Sequence, residues 1–321
     1  MPSSAPLPQF DEVLDAAARI APHARVTPVL RADALDAAAG ASLVFKAEGL
    51  QHGGAFKFRG ACNAVACLSA AEAANGVVTH SSGNHGAALG LAARLHSVTC
   101  HVVVPEGATA AKLALVAEQG AVLHRCAPTM AAREEHCARI QAATGATLVH
   151  PYADPRVIAG QGTATLELLA AAPGLDVLVV PVGGGGLAAG AALALSGRSP
   201  GTALVLAEPA GAADTARALR DGRREPGPAP DTVCDGLRAD LGEPNFRILQ
   251  AHGAEVLTVD DADTLAAMRL LVARLKLLVE PSSAVALAAV LAHPARFAGR
   301  RVGIVLTGGN VDPAALPWAA A

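Results

Sequence analysis

The stretch "GGAFKFRGA", Gly53 to Ala61, sets a lysine between two phenylalanines in a chain where Phe, Trp and Tyr make up only 2% of 321 residues. At a helix start an exposed lysine is a solvated charge at the unfavourable end of the dipole. Held among Phe56, Phe58 and glycines, Lys57 would instead lose affinity for its proton through desolvation and the dipole. An amine that forms a Schiff base needs that property. Lys57 alone leaves both readings open.

Three further stretches carry chemistry. In "VVPVGGGGLAAGAALAL", residues 179–195, a buried strand runs into Gly183, Gly184, Gly185 and Gly186 and then a helix. Backbone N–H groups at such a turn surround a phosphate. The same stretch fits G-x-G-x-x-A from Gly184 to Ala189, and the next strand ends at Glu208, so a nucleotide-dependent oxidoreductase competes. In "THSSGNHGAALGLAA", residues 79–93, a turn aims backbone amides and the side chains of Ser81, Ser82 and Asn84 at one spot, suited to a carboxylate. The same residues would serve as a bare helix cap. In "VLTGGNVD", residues 305–312, Thr307 emerges from a strand beside two glycines that permit close approach of something flat or bulky. Lysine, phosphate cup, carboxylate turn and hydroxyl together are the four contacts that pyridoxal phosphate and an amino acid need.

The elements that must position these groups follow from patterning. Short β-branched runs alternate with alanine-rich segments of helical length, which predicts an α/β fold with mainly parallel sheets. Strands are expected at 42–48, 76–80, 98–105, 121–126, 146–151, 176–183, 203–209, 254–260 and 301–309, with a surface loop at 220–231. Net charge is −3 with both signs mixed, which predicts small-molecule partners and no nucleic acid. No run reaches the roughly 18 uncharged apolar residues of a membrane span. The N-terminal stretch has no secretory pattern, so a cytoplasmic protein is expected. The six cysteines show no CxxC pair and read as reduced, mostly buried side chains.

"FKAEGLQHGGAFKFRGACNAV", "THSSGNHG", "HPYADPRVIAGQGT", "VPVGGGGLAAG", "KLLVEPSSAVALAA" and "VLTGGNVD" occur here in order. Together they resemble the threonine/serine dehydratase and serine racemase family of pyridoxal-phosphate enzymes, of the tryptophan-synthase-β fold (fold type II), over about residues 20–313. The resemblance implies two lobes, each a mainly parallel sheet flanked by helices: a large cofactor-binding domain, 1–73 and 152–321, and a small substrate-binding domain, 74–151. It implies that Lys57, after Phe56, holds the cofactor as a Schiff base and moves the substrate α-proton. Asn84 would contact the ring hydroxyl, Gly183 to Gly186 the phosphate, and Thr307 the pyridine nitrogen. Ser81, Ser82, Gly83, Asn84 and His85 would receive the substrate carboxylate. Glu208, Ala212 (through its carbonyl) and Asp214 match a cation site whose oxygen donors suit Mg²⁺ or Ca²⁺. By spacing alone Glu208 and Asp214 read as surface charges.

The implied reaction removes water and ammonia from a β-hydroxy amino acid such as L-threonine or L-serine. Ser82, facing Lys57 across the cofactor in racemase-like members, also permits serine racemisation. The two-serine loop occurs equally in members that dehydrate hydroxyaspartate, and Arg133 is placed to pair with a β-carboxylate or to stand as a solvated helix arginine. Gly53 and Ala55 stand where relatives usually carry hydroxyls, which opens the pocket to a bulkier substrate such as phenylserine. Gln119 replaces a racemase tyrosine. The chain ends soon after Asp312, so no isoleucine feedback is expected. Family members are commonly dimers, which implies a homodimer. A noncatalytic amino-acid-binding protein would not need Lys57.

Overall fold

A computed structural model of the chain describes residues 6–81, 83–108, 110–225, 227–316 and 318. Ten strands are described: β1 (Val29–Leu30), β2 (Ser42–Ala47), β3 (Val77–His80), β4 (Cys100–Pro105), β5 (Val122–Cys126), β6 (Thr147–Leu148), β7 (Val177–Pro181), β8 (Ala203–Pro209), β9 (Glu255–Val259) and β10 (Arg301–Leu306). They form a six-stranded sheet of order β1-β2-β10-β7-β8-β9 and a four-stranded sheet of order β5-β4-β3-β6. Only β1 runs antiparallel, against β2. The rest are parallel, as expected where helices carry the chain back across the sheet faces.

Parallel sheets are covered on both faces, so their strands read as continuous apolar runs. β7, "VLVVP", is buried throughout. On one face of the large sheet it gives Val177 and Val179 to a core with Phe45, Ile304 and Leu287. On the other it gives Leu178 and Val180 to a core with Leu168, Leu193 and Leu206. The small sheet repeats the plan with Val102 and Val104 on one face and Val78 and Val103 on the other. The chain thus builds two parallel-sheet domains flanked by helices.

Every expected strand except β8 is shorter than its apolar run, and β6, β7 and β10 fall short by three residues or more. β6 stops at Leu148 because Pro151, which has no N–H to give, turns the chain away two residues after Val149. β7 ends at Pro181, before the glycines. β10 stops at Leu306, after which Gly308 makes an isolated antiparallel bridge to Ala55.

All six cysteines are free and all but Cys67 are buried. Among the described residues no helix is long and apolar enough to cross a membrane.

Candidate active site

A cavity of about 560 Å³ opens between the two sheets at the C-terminal ends of their strands. Open α/β sheets put ligand sites there, and the volume suits a cofactor with a small substrate.

Lys57 begins the helix Lys57–Ala66. Its position is fixed from the far end of the chain: Phe56 N–H donates to the Thr307 carbonyl at 2.9 Å, and Ala55 bridges Gly308. Lysine and Thr307 hydroxyl, 250 positions apart, are therefore stitched to the same strand end. Lys57 Nζ donates to the Pro151 carbonyl at 3.0 Å and lies 5.1 Å from the Phe56 ring centre. Burial pulls its pKa down to about 8, and the negative charge of Glu280 opposes the fall. The neutral form that a nucleophile and base requires is therefore far more accessible at neutral pH than in an exposed lysine, although the ammonium still predominates below pH 8.

Two bidentate ion pairs hold the same first turn of this helix. Arg59 donates through Nε and Nη2 to both oxygens of Glu48 at 2.7 and 2.8 Å, and through Nη1 and Nη2 to both oxygens of Glu167 at 2.6 and 2.8 Å. Lys46 Nζ joins Glu167 at 2.5 Å, and Arg59, Glu48 and Lys46 are fully buried. Two cations and two carboxylates balance, the condition on which charges are tolerated inside a protein.

The four glycines follow β7 and lead into the helix Gly186–Arg198. Gly185 has φ +88°, and a Cβ on Gly184 would lie 2.4 Å from Cγ of Tyr152. Neither position accepts a side chain, so backbone N–H groups are left facing the cavity at a helix start. Asn245 braces the loop from below, donating through Nδ2 to the carbonyls of Gly184 at 2.5 Å and Tyr152 at 2.9 Å.

From the small sheet come Ser81, Gly83, Asn84 and His85, all on the cavity wall, at the start of the helix Asn84–Leu95. Ser82, expected here, lies outside the described residues. Ser81 Oγ accepts from Gly83 N–H at 3.4 Å. Asn84 Nδ2 donates to both carboxylate oxygens of Glu280 at 3.2 Å. His85 contacts the Val149 carbonyl, and burial followed by the nearby Lys57 charge holds its pKa well below the usual value. Burial and then Arg133 bring His80 down to about 4, so this wall presents neutral imidazoles. Arg133 also lines the cavity, and its buried Nε finds no hydrogen-bond partner among the described residues.

Phe56, Lys57, Asn84, the tetraglycine and Thr307 thus surround one cavity with Ser81 and Arg133. Backbone amides for a phosphate, an amine of lowered pKa for an aldehyde and a hydroxyl at the strand end fit pyridoxal phosphate. When bound, that group supplies the electron sink for chemistry at an amino-acid Cα.

Glu208, Ala212 and Asp214 do not line the cavity. Glu208 ends β8 at zero exposure, not on the surface as spacing suggested, because β8 runs between β7 and β9. Its oxygens accept from Thr215 and Ala216 N–H at 2.8 and 2.9 Å, and burial raises its pKa to about 7, with Asp214 adding to the rise. Asp214 accepts from Leu241 N–H at 2.8 Å and is also raised by burial. The buried Glu208 carboxylate and the half-buried Asp214 carboxylate, whose charge disfavours that of Glu208, lie with the buried Ala212 as oxygen donors that fit a hard cation. No group of three or more His, Cys, Asp or Glu forms a metal cluster among the described residues, so carbonyl or water oxygens would complete the shell.

Glu280, Asn310 and Tyr152 also line the cavity, and residue spacing assigned them nothing. The available signal for Glu280 was "VEPSS", an acidic residue before a proline that opens a helix.

A family model described as "Pyridoxal-phosphate dependent enzyme" matches residues 20–308. The chain is 47% identical to a beta-hydroxyaspartate dehydratase of Paracoccus denitrificans, covering 97% of this chain and 99% of that one. It is 45% identical to a serine racemase of Arabidopsis thaliana, over 92% and 90%. The solved structure of maize serine racemase superposes with a TM-score of 0.94 at 39% identity, over 97% and 96%. Matched over most of its length by sequence and by fold, the chain belongs to the pyridoxal-phosphate dependent enzymes of fold type II.

Proposed function

We propose that this enzyme is an ammonia-lyase acting on a β-hydroxy amino acid with a second carboxylate, 3-hydroxyaspartate. The observation that carries the reading is Arg133, a cation on the cavity wall with a buried Nε in want of an acceptor. A β-carboxylate would meet that demand with a charge-assisted hydrogen bond, whereas the side chains of serine and threonine bring no charge. The identity with the Paracoccus dehydratase over almost its whole length supports the same substrate.

In this reading the turn from Ser81 to His85 receives the α-carboxylate, Gly183 to Gly186 hold the cofactor phosphate, and Thr307 meets the ring nitrogen. Lys57 takes the α-proton. The Cβ–O bond then breaks and the hydroxyl leaves as water. The resulting enamine becomes an imine, and water adds back to release one 2-oxo acid and one ammonia. The small domain, drawn at 74–151, closes on the large one to exclude bulk water. A divalent cation at Glu208, the Ala212 carbonyl and Asp214 would act from behind, since Asp214 holds Leu241 and Leu241 packs on Gly185. We take the enzyme to work in the cytoplasm as a homodimer, the latter checked by sedimentation.

Serine racemase is the second reading, favoured by the identity with the Arabidopsis enzyme, with Ser82 returning a proton on the face opposite Lys57. One experiment separates them. Holoenzyme is assayed with L-threo-3-hydroxyaspartate, L-serine, L-threonine and phenylserine for 2-oxo acid and D-amino acid, with and without Arg133→Ala. Loss of a charge-assisted contact should lower kcat/KM for hydroxyaspartate by about 100-fold and for serine by less than about fivefold. Equal losses on both substrates would refute the assignment of Arg133, and D-serine as main product would make the enzyme a racemase.

A further inference from the structure

We propose that Asn310 is a positioning residue that fixes which way the Asn84 amide faces the cofactor cavity. The proposal rests on the reading that Asn84 donates to the cofactor's ring hydroxyl.

Asn310 follows the Gly308–Gly309 pair after β10. Its Nδ2 donates to the Gly53 carbonyl at 2.7 Å and to Asn84 Oδ1 at 2.9 Å. Asn84 Nδ2 in turn donates to the Glu280 carboxylate at 3.2 Å. The two ends of this chain are acceptors only: a backbone carbonyl and a carboxylate. The Gly53 carbonyl requires the NH₂ of Asn310, so its second N–H requires an oxygen from Asn84. The NH₂ of Asn84 must then face Glu280 and the cavity. Each amide is polarised in one sense, and turning either over would set oxygen against oxygen.

The chain also crosses between the domains. Gly53, Glu280 and Asn310 belong to segments of the large sheet's domain, while Asn84 opens a helix of the small one. Gly53 precedes Lys57 by only four residues. One asparagine thereby ties the loop of the reactive lysine to the residue that would touch the ring hydroxyl. Without the Asn310 bond the Asn84 amide would keep only its two 3.2 Å contacts to Glu280, and its oxygen would lose the shorter 2.9 Å bond that holds it away from the cavity.

The test uses the holoenzymes of wild type, Asn84→Ala, Asn310→Ala, Asn310→Asp and the double variant Asn84→Ala/Asn310→Asp. Two quantities are read: the pH midpoint of the visible absorbance change of the lysine-bound cofactor, and the pyridoxal-phosphate affinity by fluorescence titration after cofactor removal. Asn84→Ala loses one hydrogen bond to a charged oxygen, so the midpoint moves by about one pH unit and affinity falls about tenfold. Asn310→Asp has no N–H to give and sets a second carboxylate against the Asn84 amide, competing with Glu280 for its NH₂ and drawing it from the cavity, so it shifts the midpoint at least as far. Asn310→Ala, which leaves the amide held only by its 3.2 Å contacts to Glu280, weakens affinity by about threefold. In the Asn84→Ala background, Asn310→Asp adds nothing. Position 310 is exposed in a loop, and a circular-dichroism melt checks that each variant is folded. If Asn84→Ala shifts the midpoint and neither Asn310 variant does, or if Asn310→Asp shifts it equally in both backgrounds, the positioning role is overturned. If Asn84→Ala itself leaves midpoint and affinity unchanged, the reading of Asn84 is overturned and the proposal with it.

Discussion

Replacing Lys57 by methionine should make the cofactor-free protein more stable at neutral pH. The ammonium is held among Phe56, His85 and glycines, and burial moves its pKa from the ordinary 10.5 to about 8. At about 1.4 kcal/mol per pH unit, the charged amine costs the fold about 3 kcal/mol. Water in the open cavity lowers that figure, and the Pro151 carbonyl loses its donor in the variant, an opposing effect of about 1 kcal/mol. The net expectation is a gain of about 1–2 kcal/mol at pH 7, since methionine matches lysine in length and prefers the apolar wall. The pH dependence is the sharper check. Below pH 8 Lys57 keeps its proton both folded and unfolded, so the whole cost is present. Between about 8 and 10.5 only the unfolded chain keeps it, so wild-type stability climbs with pH relative to the variant. Urea denaturation of both proteins, followed by circular dichroism at pH 7 and pH 10, measures the gap. A gap that stays constant with pH, or a variant less stable than wild type at pH 7, would show that the lysine is not desolvated and would refute its activation by burial.

Gly184→Ala puts a methyl 2.4 Å from Cγ of Tyr152, so the ring must shift out of the cradle it supports. Overpacking of about 1–3 kcal/mol is expected, with cofactor affinity reduced at least about tenfold in a titration followed by the chain's single tyrosine and single tryptophan. An unchanged affinity would mean that the phosphate lies elsewhere. Arg59→Met leaves Glu48 buried with its main partner gone, and should cost about 3–5 kcal/mol in urea denaturation; a loss under about 1 kcal/mol would mean that Lys46 suffices for both carboxylates. Mg²⁺ or Ca²⁺ at about 100 times its dissociation constant should add about 2.7 kcal/mol to the stability of wild type and nothing to Glu208→Gln. An equal response in both proteins would place the cation elsewhere.

The parts of this enzyme that could be read along the chain are those whose physics is local. β8 spans 203–209 as its apolar run implies, and the glycines after β7 announce a phosphate cup because four adjacent residues suffice to make one. Lys57 was ambiguous for the opposite reason. Its desolvation depends on Pro151, His85 and Glu280, which come from three other segments. The two-residue strand β1 has too short a run to show a period and exists because Val29 and Leu30 find the free edge of β2. Glu208 read as a surface charge since a carboxylate ending an apolar run usually meets water. The strand order, with β9 returning outside β8, is what buries it. Glu280 and Asn310 were hidden most deeply, because their bonds to Asn84 span 196 and 226 residues. No pattern of neighbouring residues encodes a contact that only the topology makes. That division has a consequence for substrate choice. The proposed cofactor contacts are built from backbone turns at strand ends and so depend on the fold more than on any one side chain. Arg133, on the helix Met130–Thr144 with Nε unpaired among the described residues, is where the proposed reading expects one substitution to change which amino acid is held without touching Lys57. The proposed reading therefore places substrate specificity on the small-domain wall, and the Arg133→Ala comparison of hydroxyaspartate with serine tests it there.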